Sequence, residues 1–289
     1  MKIRKYLELT NKRKCLTEKS KLTDASTIGK VITRNITHWR IADDICQHGE
    51  DFVLAHLKYP PNTPIYVYTK EVDQYVSKSV INRGGQETTN VAIIVDYMKR
   101  FPNAVFLDIG ANVGVFAITL ATLGFRVIAF DCQIGNAARI CSSMKAGGLT
   151  DKLTIVHNAV SNVHQKVSLR TGKQNIGMTW LVKTQLGKPT VDTVSLDDLL
   201  EIYDFKQAVI KMDIELSEVK ALTGAFNFFQ QVRVEAILME FLESPIESKF
   251  GEKVLDFMKS HHLKPNDTNK LNEWEFNKWD THDILFVRQ

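Results

Sequence analysis

Cysteine is scarce in this chain. Cys15, Cys46, Cys132 and Cys141 are all there are, with no C-x-x-C pair and no histidine at metal-ligand spacing from them. That excludes a zinc ribbon and leaves reduced thiols in a cytosolic protein, rather than a disulfide framework, as the expectation. Long apolar runs are missing too. Residues 1–40 hold no continuous apolar stretch of leader-peptide length, so no secretory signal is visible and a cytoplasmic location is expected; a secretory lumen would require an incomplete N-terminus. The most apolar window, Val113–Phe130, is interrupted by Gly124 and Arg126 and reads as helix plus strand, not as a membrane span. Repeats and low-complexity tracts are absent. So are a basic, aromatic-rich face and an Asn-Pro-Pro-Tyr-like motif, which leaves no strong nucleic-acid signal.

What is present is ordinary globular composition, 44% apolar and 24% charged over 289 residues. The net charge of +4 is unevenly spread: residues 1–40 carry 11 Lys or Arg against 3 acids, so the rest is mildly acidic. We read residues 1–64 as a basic, partly disordered extension with short helices, including one or two within 36–58, and residues 65–289 as one folded domain.

From Thr89 the chain alternates. Val91, Ile94, Val95 and Met98 recur at helical spacing, and Pro102 ends that helix. Strand Val105–Ile109 leads to helix Val113–Leu123, strand Arg126–Phe130 to helix Asn136–Ala146, and strand Leu153–His157 follows. Ser195 and Asp198 form a capping-box-like pair before a short helix. Strand Ala208–Met212, helix Ser217–Gln230, strand Val234–Phe241, helix Glu252–Ser260 and strand Asp283–Arg288 complete the pattern. Alternation of this kind makes an α/β fold, a doubly wound, mostly parallel sheet with helices on both faces. Ligands bind such sheets beyond the carboxyl ends of the strands, where the strand order reverses.

The turn at that place is Asp108-Ile109-Gly110-Ala111-Asn112-Val113-Gly114. It is G-x-x-x-G, not the G-x-G-x-x-G that crowds amides against a pyrophosphate, and an acid precedes it. An acid repels a pyrophosphate but suits an ammonium group. S-adenosylmethionine fits both facts, being a cationic, phosphate-free nucleoside. Asp108 would meet its ammonium, the amides near Asn112 and Gly114 its carboxylate, and Gly110 would let the backbone approach the adenosine. Asp131, 21 residues after Gly110, would accept the ribose hydroxyls. The missing dinucleotide fingerprint argues against the alternative, an NAD-dependent oxidoreductase.

D-I-G-A-N-V-G, V-I-A-F-D and I-K-M-D-I-E-L-S-E (Ile210–Glu218), in this order, resemble the FkbM-type methyltransferases. The likeness takes in Asp73-Gln74-Tyr75-Val76-Ser77, Val191–Asp198 and His282–Phe286, and spans about residues 65–289. It implies a class I methyltransferase (Rossmann-like) fold with seven strands, the last antiparallel, S-adenosylmethionine as cofactor, and O-methylation of a hydroxyl on a small molecule or glycan. It also points to Glu87, which matches a recurrent acid of the family's front segment, and to the Asn175–Thr179 turn, with Asn175 and Gly177, as near the acceptor. Two departures stand out. Asp131-Cys132 replaces the family's usual Glu-Pro, and Leu216 replaces a glycine, which would narrow the pocket or forbid a left-handed turn and keeps open a cofactor-binding scaffold without catalysis.

A hydroxyl acceptor must lose a proton to a base. Asp213 and Glu215, at the carboxyl end of the fourth strand, are the candidates; Glu218 reads as an acid favoured by the helix start beside it. No residue pattern assigns a metal. His261, His262, Trp274 and Trp279 form a C-terminal cluster read first as packing, with a sugar-stacking face as the sharper reading.

Overall fold

The computed structural model describes residues 22–240, 248–266 and 283–289. After a single helical turn, α1 (Asp24–Thr27), come β1 (Val31–Arg34), β2 (Trp39–Ile41), β3 (Val53–Leu57) and β4 (Thr63–Val67). Helices α2 (Val76–Arg83) and α3 (Thr88–Arg100) lead into β5 (Val105–Ile109), α4 (Val115–Thr122), β6 (Val127–Phe130), α5 (Ile134–Ala146) and β7 (Leu153–Val156). A meander follows: β8 (Ala159–Val160), β9 (Lys166–Gly172), β10 (Asn175–Lys183) and β11 (Thr190–Val194). The remaining elements are β12 (Gln207–Met212), α6 (Glu218–Thr223), α7 (Phe226–Gln231), β13 (Arg233–Glu240), α8 (Ser248–Ser260), β14 (Leu263–Pro265) and β15 (Asp283–Arg288).

The main sheet has nine strands in the order β14-β15-β13-β12-β5-β6-β7-β1-β2. Strands β5, β6, β7, β12 and β13 run parallel, and β15 runs antiparallel to β13, as expected. The strand order reverses between β5 and β12, so the β5–α4 turn sits at the switch point.

Alternate residues of each strand serve opposite faces. Val105, Leu107 and Ile109 pack with the helices that follow β12, whereas Phe106 packs with Ile94, Ile118 and Ile140 of the other layer. Asp108 shares Phe106's face. In register beside it on β12 is Lys211. Helix α4 is buried on every residue from Val115 to Ala121, which explains an apolar sequence broken only by Thr119.

Four expectations are corrected. The sheet exceeds seven strands because the hairpin β1–β2 adds to the β7 edge, so residues 31–41 belong to the sheet and not to a loose extension. Residues 36–58 form strands and a 3-10 turn, not α-helices. The helix expected over Ser217–Gln230 breaks at Gly224, where a Cβ would come within 2.6 Å of the Ser161 carbonyl oxygen. Cys46 and Cys141 are joined in a disulfide across 95 residues, and only Cys132 is free among the described cysteines. The Ser195–Asp198 pair caps as expected, each side chain accepting the other's backbone N–H.

The disulfide pins the segment before β3 to helix α5. It gives the chain a mass two hydrogens lower before reduction than after. Cutting a loop of this length loose costs about 2–4 kcal/mol, so reduction should lower the melting temperature by roughly 5–10 °C. Alkylation of Cys46 and Cys141 without prior reduction would refute the pairing.

Candidate active site

A cavity of about 210 Å³ opens over the carboxyl ends of β5, β6, β7 and β12. Of the ten expected site residues, seven line it: Gly110, Asn112, Asp131, Asn175, Gly177, Asp213 and Glu215.

 Asp108, Gly114 and Glu87 stand behind or beside that lining.

The first turn owes its shape to its neighbours. Gly110 has φ 85°, and a Cβ there would collide with the Asp213 carbonyl oxygen, so the glycine is required by the approach of the β12 end. Gly114 (φ 91°) starts α4 with Ile140 against it. Asn112 is also left-handed, at φ 52°, and its side-chain carbonyl is buried without a partner. The amides expected to meet a carboxylate are partly committed: Asn112 N–H donates to Asp131 Oδ2 at 2.8 Å and Gly114 N–H to the Ala111 carbonyl at 2.8 Å.

Asp131 closes β6. Its Oδ1 accepts the Gln133 N–H at 2.8 Å and the Asn136 side-chain amide at 3.1 Å. Burial pushes its carboxyl up to about 7 despite those donors. Asp108 is fully buried. Its Oδ2 accepts the Ala117 N–H at 3.0 Å, its Oδ1 has no hydrogen-bond partner, and burial pushes it up to about 6 against the pull of the Lys211 ammonium.

The acidic end is built around Lys211, a buried lysine at the end of β12. Its Nζ donates to Asp213 Oδ2 at 3.0 Å and to the Gly110 carbonyl at 3.3 Å. Burial pushes Asp213 up, but the Lys211 charge and hydrogen bonds outweigh it and hold the carboxyl below its usual range. Burial and the Asp213 charge push Glu215 up to about 7 and Glu240, at the end of β13, up to about 9. Asp213, Glu215 and Glu240 each offer an oxygen within 4.8 Å of the others, a spacing a divalent ion could bridge. Glu218 is structural, as expected: its Oε1 accepts the Ile214 N–H at 2.9 Å.

Glu215 and Leu216 are both left-handed, at φ 52° and 67°. The leucine therefore does not forbid the left-handed turn. It is 42% exposed and is not part of the cavity lining, so it does not narrow the pocket.

Asn175 and Gly177 belong to strand β10, not to a bare turn, and a bulge between Asn175 and Thr179 arches them over the cavity. A Cβ on Gly177 would lie 2.7 Å from the Asn112 side-chain nitrogen. Gln133 ties this arch down, donating to the Ile176 carbonyl at 2.7 Å and to Thr179 Oγ1 at 2.9 Å. Glu87 does not line the cavity; it is the N-cap residue of α3, with no side-chain capping bond. It starts α3 at φ 49°, beside a second hollow that includes Asp283, and burial pushes its carboxyl up.

Lys211, Glu240 and Gln133 were missed in the sequence. A lysine inside the apolar strand A-V-I-K-M, and a glutamate ending L-M-E, were the available signals. His261 stacks on Phe257 with ring centroids 4.1 Å apart, which supports packing; Trp274 and Trp279 lie outside the described residues.

The sequence profile of the methyltransferase FkbM domain matches residues 108–264. No curated protein sequence matches the chain. Among solved structures, methyltransferase FkbM from Methylobacillus flagellatus is similar at 14% identity and TM-score 0.41, covering 64% of this chain and 44% of that one. Precorrin-6y C5,15-methyltransferase from Geobacter metallireducens is similar at 11% identity and TM-score 0.40, covering 76% and 97%. Magnesium protoporphyrin IX methyltransferase from Synechocystis, with bound SAH, is similar at 11% identity and TM-score 0.38, covering 70% and 82%.

Two outcomes follow from this geometry. A carboxyl whose folded-state pKa is raised keeps a proton that the unfolded chain has released, so stability falls as pH climbs from the unfolded value toward the folded one. For Glu240 that window extends to about 9, beyond the neighbours near 7. The ligand-free protein should melt lower at pH 9 than at pH 7, and Glu240→Gln should flatten that slope; an unaltered slope refutes the assignment. Leu216→Gly relieves a left-handed leucine and should stabilise by about 1 kcal/mol, raising the melting temperature by roughly 2–4 °C.

Proposed function

The chain belongs to the FkbM methyltransferase family, and from that premise we propose that it transfers a methyl group from S-adenosylmethionine to a hydroxyl of a small molecule or glycan. The observation that carries this reading is the cavity itself. It joins the glycine turn after β5, the acid after β6 and the carboxylates after β12 in one space.

The residues present fit the cofactor. Asn112 offers a buried, unpartnered carbonyl at the cavity wall, and Gly110 and Gly177 leave open the space that side chains would fill. Asp131, with three donors on its two oxygens, keeps room for a further hydroxyl. The Asp108 Oδ1, buried and unpartnered, adds negative potential beneath the turn, suited to a cation. When bound, S-adenosylmethionine supplies a methyl group already activated on a sulfonium, so no covalent enzyme intermediate is needed.

Glu215 is the base in this reading. It lines the cavity, and a pKa of about 7 suits a group that must take up a proton near neutrality. Asp213, held ionised by Lys211, orients the acceptor and stabilises positive charge nearby. Glu240, pushed up to about 9, stays protonated at pH 7 and donates a hydrogen bond. Alignment of acceptor and methyl is the larger contribution, on the order of 7–11 kcal/mol for well-oriented reactions.

A disulfide between half-buried Cys46 and buried Cys141 favours an oxidising compartment over the cytoplasm expected from the cysteine count. Among the described residues no helix is long and apolar enough to cross a membrane.

The test begins with ligand binding. S-adenosylhomocysteine at a hundred times its Kd should stabilise the protein by about 2.7 kcal/mol, whereas NAD should not. With hydroxylated small molecules and glycans as acceptors, release of S-adenosylhomocysteine should identify a substrate. Glu215→Gln should then lose turnover by about 10²–10⁴-fold while keeping cofactor affinity. Stabilisation by NAD instead would overturn the reading.

A further inference from the structure

We infer that Tyr68, acting through Asn136, is a positioning residue for the Asp131 carboxylate, so that the segment before the methyltransferase core sets one wall of the proposed cofactor site. The inference rests on the cofactor reading above.

The contacts form a continuous chain. The Tyr68 hydroxyl donates to Asn136 Oδ1 at 2.9 Å. That bond fixes which way the amide faces, because its oxygen is now occupied and its nitrogen must turn to the other side. The other side is Asp131, whose Oδ1 accepts from Asn136 Nδ2 at 3.1 Å. Asp131 Oδ2 in turn accepts the Asn112 N–H, so the direction left for a ribose hydroxyl depends on how the carboxylate is turned. All three side chains, Tyr68, Asn136 and Asp131, are buried.

Tyr68 is itself held from several directions. The Arg139 guanidinium carbon lies 3.4 Å from its ring centroid, sandwiched between that ring and Phe52, and Arg139 pairs with Asp51. The Tyr68 N–H donates to Ser77 Oγ at 3.2 Å, and Ser77 donates to the fully buried Asp73 at 2.7 Å. The front motif Asp73–Ser77 therefore reaches Asp131 through two side chains. Gly135 leaves the opening that Tyr68 uses: a Cβ there would stand 2.6 Å from the tyrosine oxygen. The glycine in the first turn of α5 thus has a reason that its helical setting does not supply.

Burial pushes the Tyr68 hydroxyl well above its usual range, so it remains a donor throughout the working pH range. Asp131 is faced by Asp108 from β5, by the neighbouring Cys132, by Tyr68, by Asn136 from α5, and by the backbone donors of Asn112 and Gln133. The Asn136 donor favours the ionised carboxylate, opposing burial.

The experiment is a double-mutant cycle read by calorimetric titration with S-adenosylhomocysteine. Tyr68→Phe keeps the ring and its Arg139 contact but removes the hydroxyl. It should weaken binding about tenfold, the size of one hydrogen bond to a charged group's network. Asn136→Ala should weaken it by a similar factor, and the double variant by no more than the larger single effect. The pH midpoint of binding should move upward in Asn136→Ala, because the ionised Asp131 loses a donor. Wild-type affinity in both single variants, with binding intact in the parent, overturns this inference alone. Multiplying effects in the double variant overturn action through Asn136. A parent chain that ignores S-adenosylhomocysteine overturns both this inference and the cofactor reading. Should Tyr68→Phe melt below the assay temperature, the affinity and pH midpoint of Asn136→Ala decide the matter.

Discussion

Lys211 reaches the floor of the cavity from β12 with its ammonium 3.0 Å from Asp213 and 3.3 Å from the Gly110 carbonyl. Asp108 sits beside it in register on β5, and the charges of Asp213, Asp108 and Glu87 all hold the ammonium in its protonated form. A buried lysine is stable only when such partners offset its desolvation. The carboxylates depend on it in return, since without the ammonium Asp213 would face Glu215 and Glu240 uncompensated. The contact to Gly110 joins the two central strand ends. Glycine turn and acidic end are thereby one unit, and the missing Cβ at Gly110 lets them approach closely enough for the bond to form.

Around this unit the cavity is assembled from segments far apart in sequence. Gln133 draws the β9–β10 arch over the turn after β6. The Gln74 N–H donates to the Gln174 carbonyl at 3.0 Å, joining the front motif to the same arch. The disulfide fastens the front from the other side, onto helix α5, which also carries Asn136 and Arg139. Parallel strands alone leave the cofactor edge open to solvent. Here the front segment and the arch close over it, and each is tied to the core by polar contacts whose loss would leave buried groups unsatisfied.

Much of the central fold was legible because buried parallel strands are short apolar runs, and V-F-L-D-I and V-I-A-F are bounded by turn residues. Asp131, Asp213 and Glu215 were legible as acids placed at strand ends. The β1–β2 hairpin was not. Its strands are short and partly polar, and β1 is buried because β7 supplies the neighbouring strand, a long-range fact with no local signature. The disulfide was hidden for the same reason: 95 residues separate two cysteines that only the docking of the front segment brings together. Lys211 was visible as a charge in an apolar strand, but its meaning needed the adjacent Asp108, and that pairing is set by sheet register.

The turn after β12 shows where this architecture concentrates its strain. Two consecutive residues, Glu215 and Leu216, hold the left-handed conformation, each at a cost of roughly 1–2 kcal/mol, where a glycine would adopt it freely. The turn persists because its neighbours over-determine it. The Ile214 N–H is caught by buried Glu218, and the Asp213 N–H by the Ile109 carbonyl. With residues 213 and 214 fixed in this way, the left-handed step turns the chain into α6 and leaves the Glu215 carboxyl in the cavity wall, while the leucine side chain goes to solvent. A substitution at 216 therefore bears on stability more than on cavity shape, and the departure from glycine at that position is compatible with a working site.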